Sequence, residues 1–180
     1  MIARYVCLFF VILTVSCKKI DRLPENISFI NPLLSSGPDP WIVQKDSFYY
    51  YTNTLSDRIE LRRTKSVSRV SESLAKVVWT PPATGTNRFH IWAPELHFLD
   101  NKWYIYYTAG PTSATSHQRM FVLENSFINP MEGTWVDKGQ LKDPTADYFA
   151  LDATVFDYNN KRYAFWSSTE PNNDDQNIYF

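Results

Sequence analysis

Aromatic and β-branched residues recur along this chain in one pattern. An apolar run meets a short polar turn and is followed by a second, more aromatic run. The first instance is Trp41-Ile42-Val43, then Lys45-Asp46, then Phe48-Tyr49-Tyr50-Tyr51. The second is Leu96-His97-Phe98-Leu99, then Asp100-Asn101, then Trp103-Tyr104-Ile105-Tyr106-Tyr107. The third is Ala153-Thr154-Val155-Phe156, then Tyr158-Asn159-Asn160, then Tyr163-Ala164-Phe165-Trp166. Strand-forming runs on either side of Asp- and Asn-rich turns predict antiparallel hairpins. An acid stands at the mouth of each: Asp39 within Gly37-Pro38-Asp39-Pro40-Trp41, then Glu95, then Asp152. These acids are 56 and 57 positions apart, which predicts an internal repeat whose unit is an acid at the mouth of a hairpin.

The intervening segments complete the unit. Positions 58–65 alternate, with Ile59 and Leu61 against Glu60 and Arg62, and predict a third strand. Positions 66–76 are polar, with Val67, Val70 and Leu74 spaced for a short helical turn. Val77-Val78-Trp79-Thr80 predicts a short fourth strand that Pro81-Pro82 ends. In the second unit Arg119-Met120-Phe121-Val122-Leu123 and Thr134-Trp135-Val136 take the corresponding places. Positions 27–34 have strand character and would open or close the fold, and Asn177-Ile178-Tyr179-Phe180 reads as the next strand. Short strands with regular turns suggest a sandwich or a propeller, and a period near 57 suits one four-stranded propeller blade with generous loops. The predicted class is therefore all-β, a β-propeller. Residues 27–180 number 154, under three periods, whereas propellers close their ring with about four to eight blades. The expectation is the N-terminal part of a longer protein, with about three blades present.

Composition sharpens this picture. Aromatic residues make up 16% of the chain, which suits a pleated, half-buried surface. A net charge of -1 offers no basic face for nucleic acid. The two cysteines, Cys7 and Cys17, both precede the repeats, so the body carries no disulfide or thiolate metal site. Met1-Ile2-Ala3-Arg4 is a short positive segment, and the apolar stretch from Tyr5 to Val15 falls short of the roughly 20 residues that span a bilayer. This reads as a secretory signal. Leu13-Thr14-Val15-Ser16-Cys17 resembles a lipoprotein signal in which Cys17 is lipidated, although the leucine lies four rather than three positions before the cysteine; a plain signal peptide or a buried cysteine is the alternative. The predicted organisation is a lipoprotein-type signal peptide at 1–17, a tether at 18–26 and an incomplete propeller domain at 27–180. The protein is expected to be exported to the periplasm or cell surface and to meet the membrane only through a lipid anchor.

Acids at equivalent places in successive blades would converge at one end of the propeller axis. Each alone reads as a turn cap, common for Asp before a strand; three together read as a site. Glycoside hydrolysis needs two opposed carboxyl groups, one protonated to assist the leaving group and one ionised to activate water, and mutual repulsion and burial separate their pKa values. Trp92 and Glu95 form a candidate sugar-binding pair, an aromatic face beside a hydroxyl acceptor, against the alternative that Trp92 packs between blades. His90, His97 and His117 lack metal-site spacing. His97 is read as alternating away from the neighbours of Glu95, and Lys142-Asp143-Pro144 as a loop turn.

The segments Asn31-Pro32-Leu33-Leu34, Gly37-Pro38-Asp39-Pro40-Trp41, Ile91-Trp92-Ala93-Pro94-Glu95-Leu96-His97 and Leu151-Asp152-Ala153-Thr154-Val155 together resemble glycoside hydrolase family 43. So does the run from Asp100 to Tyr107. The resemblance implies a five-bladed propeller that hydrolyses arabinose- or xylose-containing glycans with inversion. It implies no required cofactor, and it allows a structural calcium or sodium ion on the axis of the full-length protein. By resemblance Asp39 is the general base, and Asp152 is the second aspartate, which tunes the pKa of the acid and orients it. The general acid is a glutamate of the fourth blade, typically before Gly-Pro, and is absent from these 180 residues. Glu170 precedes Pro171 but follows the third hairpin and does not match it. The family members most resembled release α-L-arabinofuranosyl units from plant cell-wall polysaccharides; β-xylosidase and endo-arabinanase are the alternatives within the class. A non-catalytic glycan-binding propeller and a decayed gene product are the alternatives outside it. With one carboxyl role unfilled, the 180-residue chain alone is expected to lack glycosidase activity.

Overall fold

The structure is a computed structural model that describes residues 29–172 and 175–180. The expected signal at 1–17, its Cys17 and the tether at 18–26 lie outside the described residues. The strands form three antiparallel sheets, each a meander in chain order. Blade 1 contains β1 (Trp41–Lys45), β2 (Phe48–Thr52), β3 (Ile59–Thr64) and β4 (Ala75–Trp79). Blade 2 contains β5 (Phe89–Leu99), β6 (Lys102–Gly110), β7 (Arg119–Asn125) and β8 (Val136–Leu141). Blade 3 contains β9 (Phe149–Tyr158), β10 (Lys161–Thr169) and β11 (Asn177–Tyr179). The predicted unit of hairpin, third strand, linker and short fourth strand is what blades 1 and 2 adopt.

The hairpin turns follow from their residues. Asp100 and Asn101 have φ of +50° and +61°, and Asn159 and Asn160 have +49° and +58°. Positive φ at both central positions matches the twist of the flanking strands, and Asp and Asn tolerate it. In the first hairpin Asp46 takes positive φ, +55°, at the first central position.

Blades 1 and 2 share one core. Tyr50, Ile59 and Leu61 pack with Leu96, Trp103, Ile105, Tyr107 and Leu123. The indole nitrogen of Trp103 donates to the Ile128 carbonyl at 2.9 Å, so its large apolar body is buried without stranding a donor. Ser56 and Ile91 exchange backbone hydrogen bonds at 3.2 and 3.1 Å, tying the β2–β3 loop to β5. A smaller cluster, Met120 with Ala150 and Ala153, joins blade 2 to blade 3. On the hairpin-turn side Arg162 reaches from β10 to Asp100 (Nη1 to Oδ2, 2.6 Å) and to Asp157 (Nε to Oδ1, 2.9 Å).

Two sequence expectations change, and a third, the short helical turn, forms as expected. The described part of the expected first strand, 29–34, is irregular. Pro32 has no N–H to give a ladder, and Leu33 and Leu34 instead line an apolar depression with Trp41 and Tyr51. The helical turn is a 3-10 segment, Val67–Glu72, that buries Val70. The fourth strand of blade 2 starts at Val136 and runs to Leu141. Trp135 precedes it, buried, with its indole nitrogen on the Pro130 carbonyl at 3.1 Å.

Candidate active site

The site is built from the start of the first strand in each blade. Trp41 pairs with Thr52, Glu95 with Tyr106 and Thr154 with Phe165, and each first-strand residue lies five positions before the first turn residue. Trp41, Glu95 and Thr154 are therefore equivalent, and so are Asp39, Ala93 and Asp152. This corrects the expected register, because the slot matching Asp39 and Asp152 holds Ala93 in blade 2 and Glu95 enters two positions later. The backbone agrees: Asp39, Ala93 and Asp152 have φ of +50°, +42° and +57°. That left-handed region is uncommon for residues other than glycine and suits Asp better than Ala. In β5 the pairing register also breaks between Phe89 and Trp92 and between Trp92 and Glu95, the bulges that re-aim this strand.

The displacement of Glu95 does not remove it from the site. Asp39, Glu95 and Asp152 line one open depression of about 190 Å³, with Pro40, Trp41, Ala93 and Pro94 completing the wall. The convergence expected of the three acids is present. Asp152 is solvent-accessible as a residue, yet its carboxyl pKa is raised, first by burial and then by the negative charges of Asp39 and Glu95. Desolvation and like charge both disfavour the ionised form. The N–H of Asp152 donates to Thr108 Oγ1 at 3.3 Å, and Asp39 Oδ2 accepts a hydrogen bond from Thr54 Oγ1 at 2.7 Å.

Glu95 is held from below. Its Oε2 lies 3.0 Å from Nε2 of the buried His97, whose ring packs against Trp41 at 5.0 Å and edge-on against Tyr106 at 5.5 Å. His97 thus shares a strand face with Glu95, two positions on, and is packed there, as its alternation away from the neighbours of Glu95 implied. Trp41 is fixed in turn by its indole nitrogen, which donates to the Leu96 carbonyl at 2.9 Å. Trp92 stands apart from the depression's wall. It packs on His90 at 4.9 Å, and His90 Nε2 contacts the Ser113 carbonyl at 2.8 Å. The aromatic beside Glu95 in this site is Trp41. Glu170 accepts from the Tyr179 hydroxyl at 3.0 Å, and Asp143 caps its own turn through the Thr145 N–H at 2.6 Å; neither lines the depression. Among the described residues, no group of three or more His, Cys, Asp or Glu side chains is arranged to hold a metal ion.

Comparison with known proteins agrees with this geometry. The profile of Glycosyl hydrolases family 43 matches residues 29–180. The chain belongs to glycosyl hydrolases family 43. It is 40% identical over 158 residues to an extracellular exo-α-(1→5)-L-arabinofuranosidase of Streptomyces avermitilis, covering 86% of this chain and 33% of that one. An enzyme of the same name from Streptomyces chartreusis is 39% identical, with 87% and 48% covered. The crystal structure of an α-L-arabinofuranosidase from Lactobacillus brevis superposes with a TM-score of 0.78 at 35% identity, covering 84% of this chain and 50% of that one. The chain thus spans between a third and a half of the length of these relatives. Its fold is that of the five-bladed family 43 propellers, and it supplies three of the blades.

Two features of this candidate site escaped the sequence reading: Thr54, and the tie between His97 and Glu95. Thr54 lies in the loop two positions past the end of β2, where a threonine is unremarked, and its partners are 15 and 39 positions away. The i, i+2 spacing of Glu95 and His97 was available, because strand side chains at that spacing share a face.

Proposed function

We propose that this chain supplies the first three blades of an inverting glycoside hydrolase that releases α-L-arabinofuranosyl units from arabinose-containing plant polysaccharides. The observation that carries the proposal is the meeting of Asp39 and Asp152 in one depression, with the Asp152 carboxyl pKa raised first by burial and then by the acids beside it. In this reading Asp39 is the general base. Thr54 occupies one of its oxygens and leaves Oδ1 to a water, which the carboxylate deprotonates as it attacks the anomeric carbon. Asp152 is the second aspartate; a negative charge there would keep a neighbouring carboxylic acid protonated. That acid is a glutamate of a fourth blade, in the part of the relatives' length that the match does not reach. Glu95 and Trp41 receive the sugar, one accepting its hydroxyls and the other offering an apolar face. Trp92 is proposed as a packing residue of the adjacent loop.

The proposal extends to placement. Residues 1–17 serve as a lipoprotein-type signal with Cys17 lipidated, holding the protein at the periplasmic or outer surface, and the Streptomyces relatives named extracellular support export. The reaction requires no cofactor. A structural calcium or sodium ion on the propeller axis belongs to this reading of the full-length protein.

A chimera tests the reading: residues 29–180 replace the matching segment of the Streptomyces avermitilis enzyme. The expected result is turnover of an aryl α-L-arabinofuranoside, abolished by Asp39→Asn with binding retained, and no turnover by the 180-residue chain alone. A folded chimera without activity, or one that keeps activity after Asp39→Asn, would overturn it.

A further inference from the structure

We propose that Thr54 is the positioning residue of the Asp39 carboxylate and ties its orientation to the docking of blade 2; the catalytic meaning of this contact rests on the role proposed for Asp39. The hydroxyl oxygen of Thr54 lies 2.7 Å from Asp39 Oδ2 and 2.7 Å from the backbone nitrogen of Ala93. A hydroxyl has one proton to give and two lone pairs. The Ala93 amide can only donate, so Thr54 accepts from it, and the single hydroxyl proton goes to Asp39. An ionised carboxylate is acceptor-only, so the arrangement matches the state a general base needs before it takes a proton. The backbone of Thr54 is pinned as well, its N–H donating to the Pro38 carbonyl at 3.0 Å.

The repeat makes this contact specific. Thr108 occupies the same slot in blade 2: Ala93 follows Asp39 by 54 positions, and Thr108 follows Thr54 by 54. Thr108 also accepts a hydrogen bond from the next blade, from the Asp152 N–H at 3.3 Å. The slot of its own blade holds Ala93, which has no carboxylate, and the Thr108 hydroxyl points instead to the Met120 sulfur at 3.4 Å. Receiving the next blade's backbone is common to both threonines, whereas donating to an acid is the property of Thr54 alone. The chain leaves the left-handed Asp39 directly into Pro40, so the backbone around the carboxylate is constrained, and the hydroxyl selects its rotamer.

The test compares Thr54→Val, which keeps shape and removes the hydroxyl, with Thr54→Ser, which keeps the hydroxyl. In the 180-residue chain at neutral pH, Thr54→Val is expected to speed hydrogen exchange at the Ala93 amide and to move the ¹³C resonance of the Asp39 carboxylate, and Thr54→Ser to restore both. In the active chimera, Thr54→Val is expected to lower kcat about ten- to hundredfold, the scale of a misplaced reacting group. KM should change less than about twofold, and Thr54→Ser should recover most of the rate. Unchanged resonances and exchange in Thr54→Val, a loss confined to KM, or equal losses in both variants would overturn the positioning role. An inactive chimera with native Thr54 would overturn the catalytic reading itself, and the resonance and exchange data would still separate that failure from absence of the contact.

Discussion

Blades 2 and 3 use the same hairpin grammar and end in different environments. In blade 2 the second strand is buried almost throughout, with Trp103, Ile105 and Tyr107 fully inaccessible. In blade 3 only the side facing blade 2 is covered. Ala153 and Val155 are buried, while Phe156 stays 44% exposed and Tyr163 and Phe165 are half-buried. The alternation of residues is equally apolar in both, so it does not decide burial. A blade is a thin sheet whose two faces need neighbours, and blade 2 has one on each side. The energetics of a propeller thus lie between its sheets as much as within them.

The largest test of this comparison removes one aromatic from each blade. Trp103→Ala should cost about 3–5 kcal/mol, the range for deleting a large buried side chain, and Phe165→Ala about 1 kcal/mol or less, as at a surface site. Urea denaturation of both variants measures the difference, and equal losses would break the comparison. A smaller effect sharpens it. The Tyr107 hydroxyl, its pKa pushed well up by burial, accepts from Asn87 Nδ2 at 2.9 Å. Tyr107→Phe should destabilise by about 1 kcal/mol, the net worth of one hydrogen bond, whereas Tyr163→Phe in blade 3 should leave the urea midpoint in place.

Blade 3 also carries the disfavoured charge. Folded Asp152 keeps its proton to higher pH than an unfolded aspartate does. Between the ordinary value, about 3.9, and the raised one, the folded state binds more protons, so stability falls as pH rises through that window and stays lower above it. Asp152→Asn should remove this loss. Its melting temperature should exceed the parent's at neutral pH and match it near pH 3, and the reverse order would exclude the crowding of acids described here. The smallest effect is expected from Arg162→Gln. The ties of Arg162 to Asp100 and Asp157 are solvent-exposed, so the substitution should lower the melting point slightly in low salt and not at all in high salt.

The strands were legible because their signals are local. Aromatic alternation placed both strands of each hairpin, and Asp100-Asn101 and Asn159-Asn160 marked the turns that join them. The acids were legible as a set, since Asp39, Glu95 and Asp152 do share one depression. Their register was not. Equal spacing suggested three equivalent slots, whereas pairing of Glu95 with Tyr106 puts Ala93 in the middle slot, and the bulges of β5 that arrange this leave little trace in composition. Thr54 was missed for a related reason, whereas the tie of His97 to Glu95 could have been read from their shared strand face. What makes Thr54 important is a partner on another blade, and a pattern read along one strand does not carry that. Positions 29–34 misled because Leu33 and Leu34 are apolar for packing beside Trp41, not for a ladder.

The outer side of blade 3 has a practical consequence for handling the 180-residue chain by itself. Phe156 stacks on Tyr163 at 5.8 Å and on Phe165 at 5.5 Å, and Phe165 stacks on Phe180 at 5.6 Å, a ladder of near-parallel rings open to water. Such a ladder behaves as a built-in reporter. It should bind polarity-sensitive dyes in the native state, scatter light increasingly with protein concentration, and quieten when mild detergent or a large apolar additive coats it. For this 180-residue chain, dye binding would then signal a correctly folded third blade rather than a damaged preparation, and quality control based on dye exclusion would discard the wrong fraction.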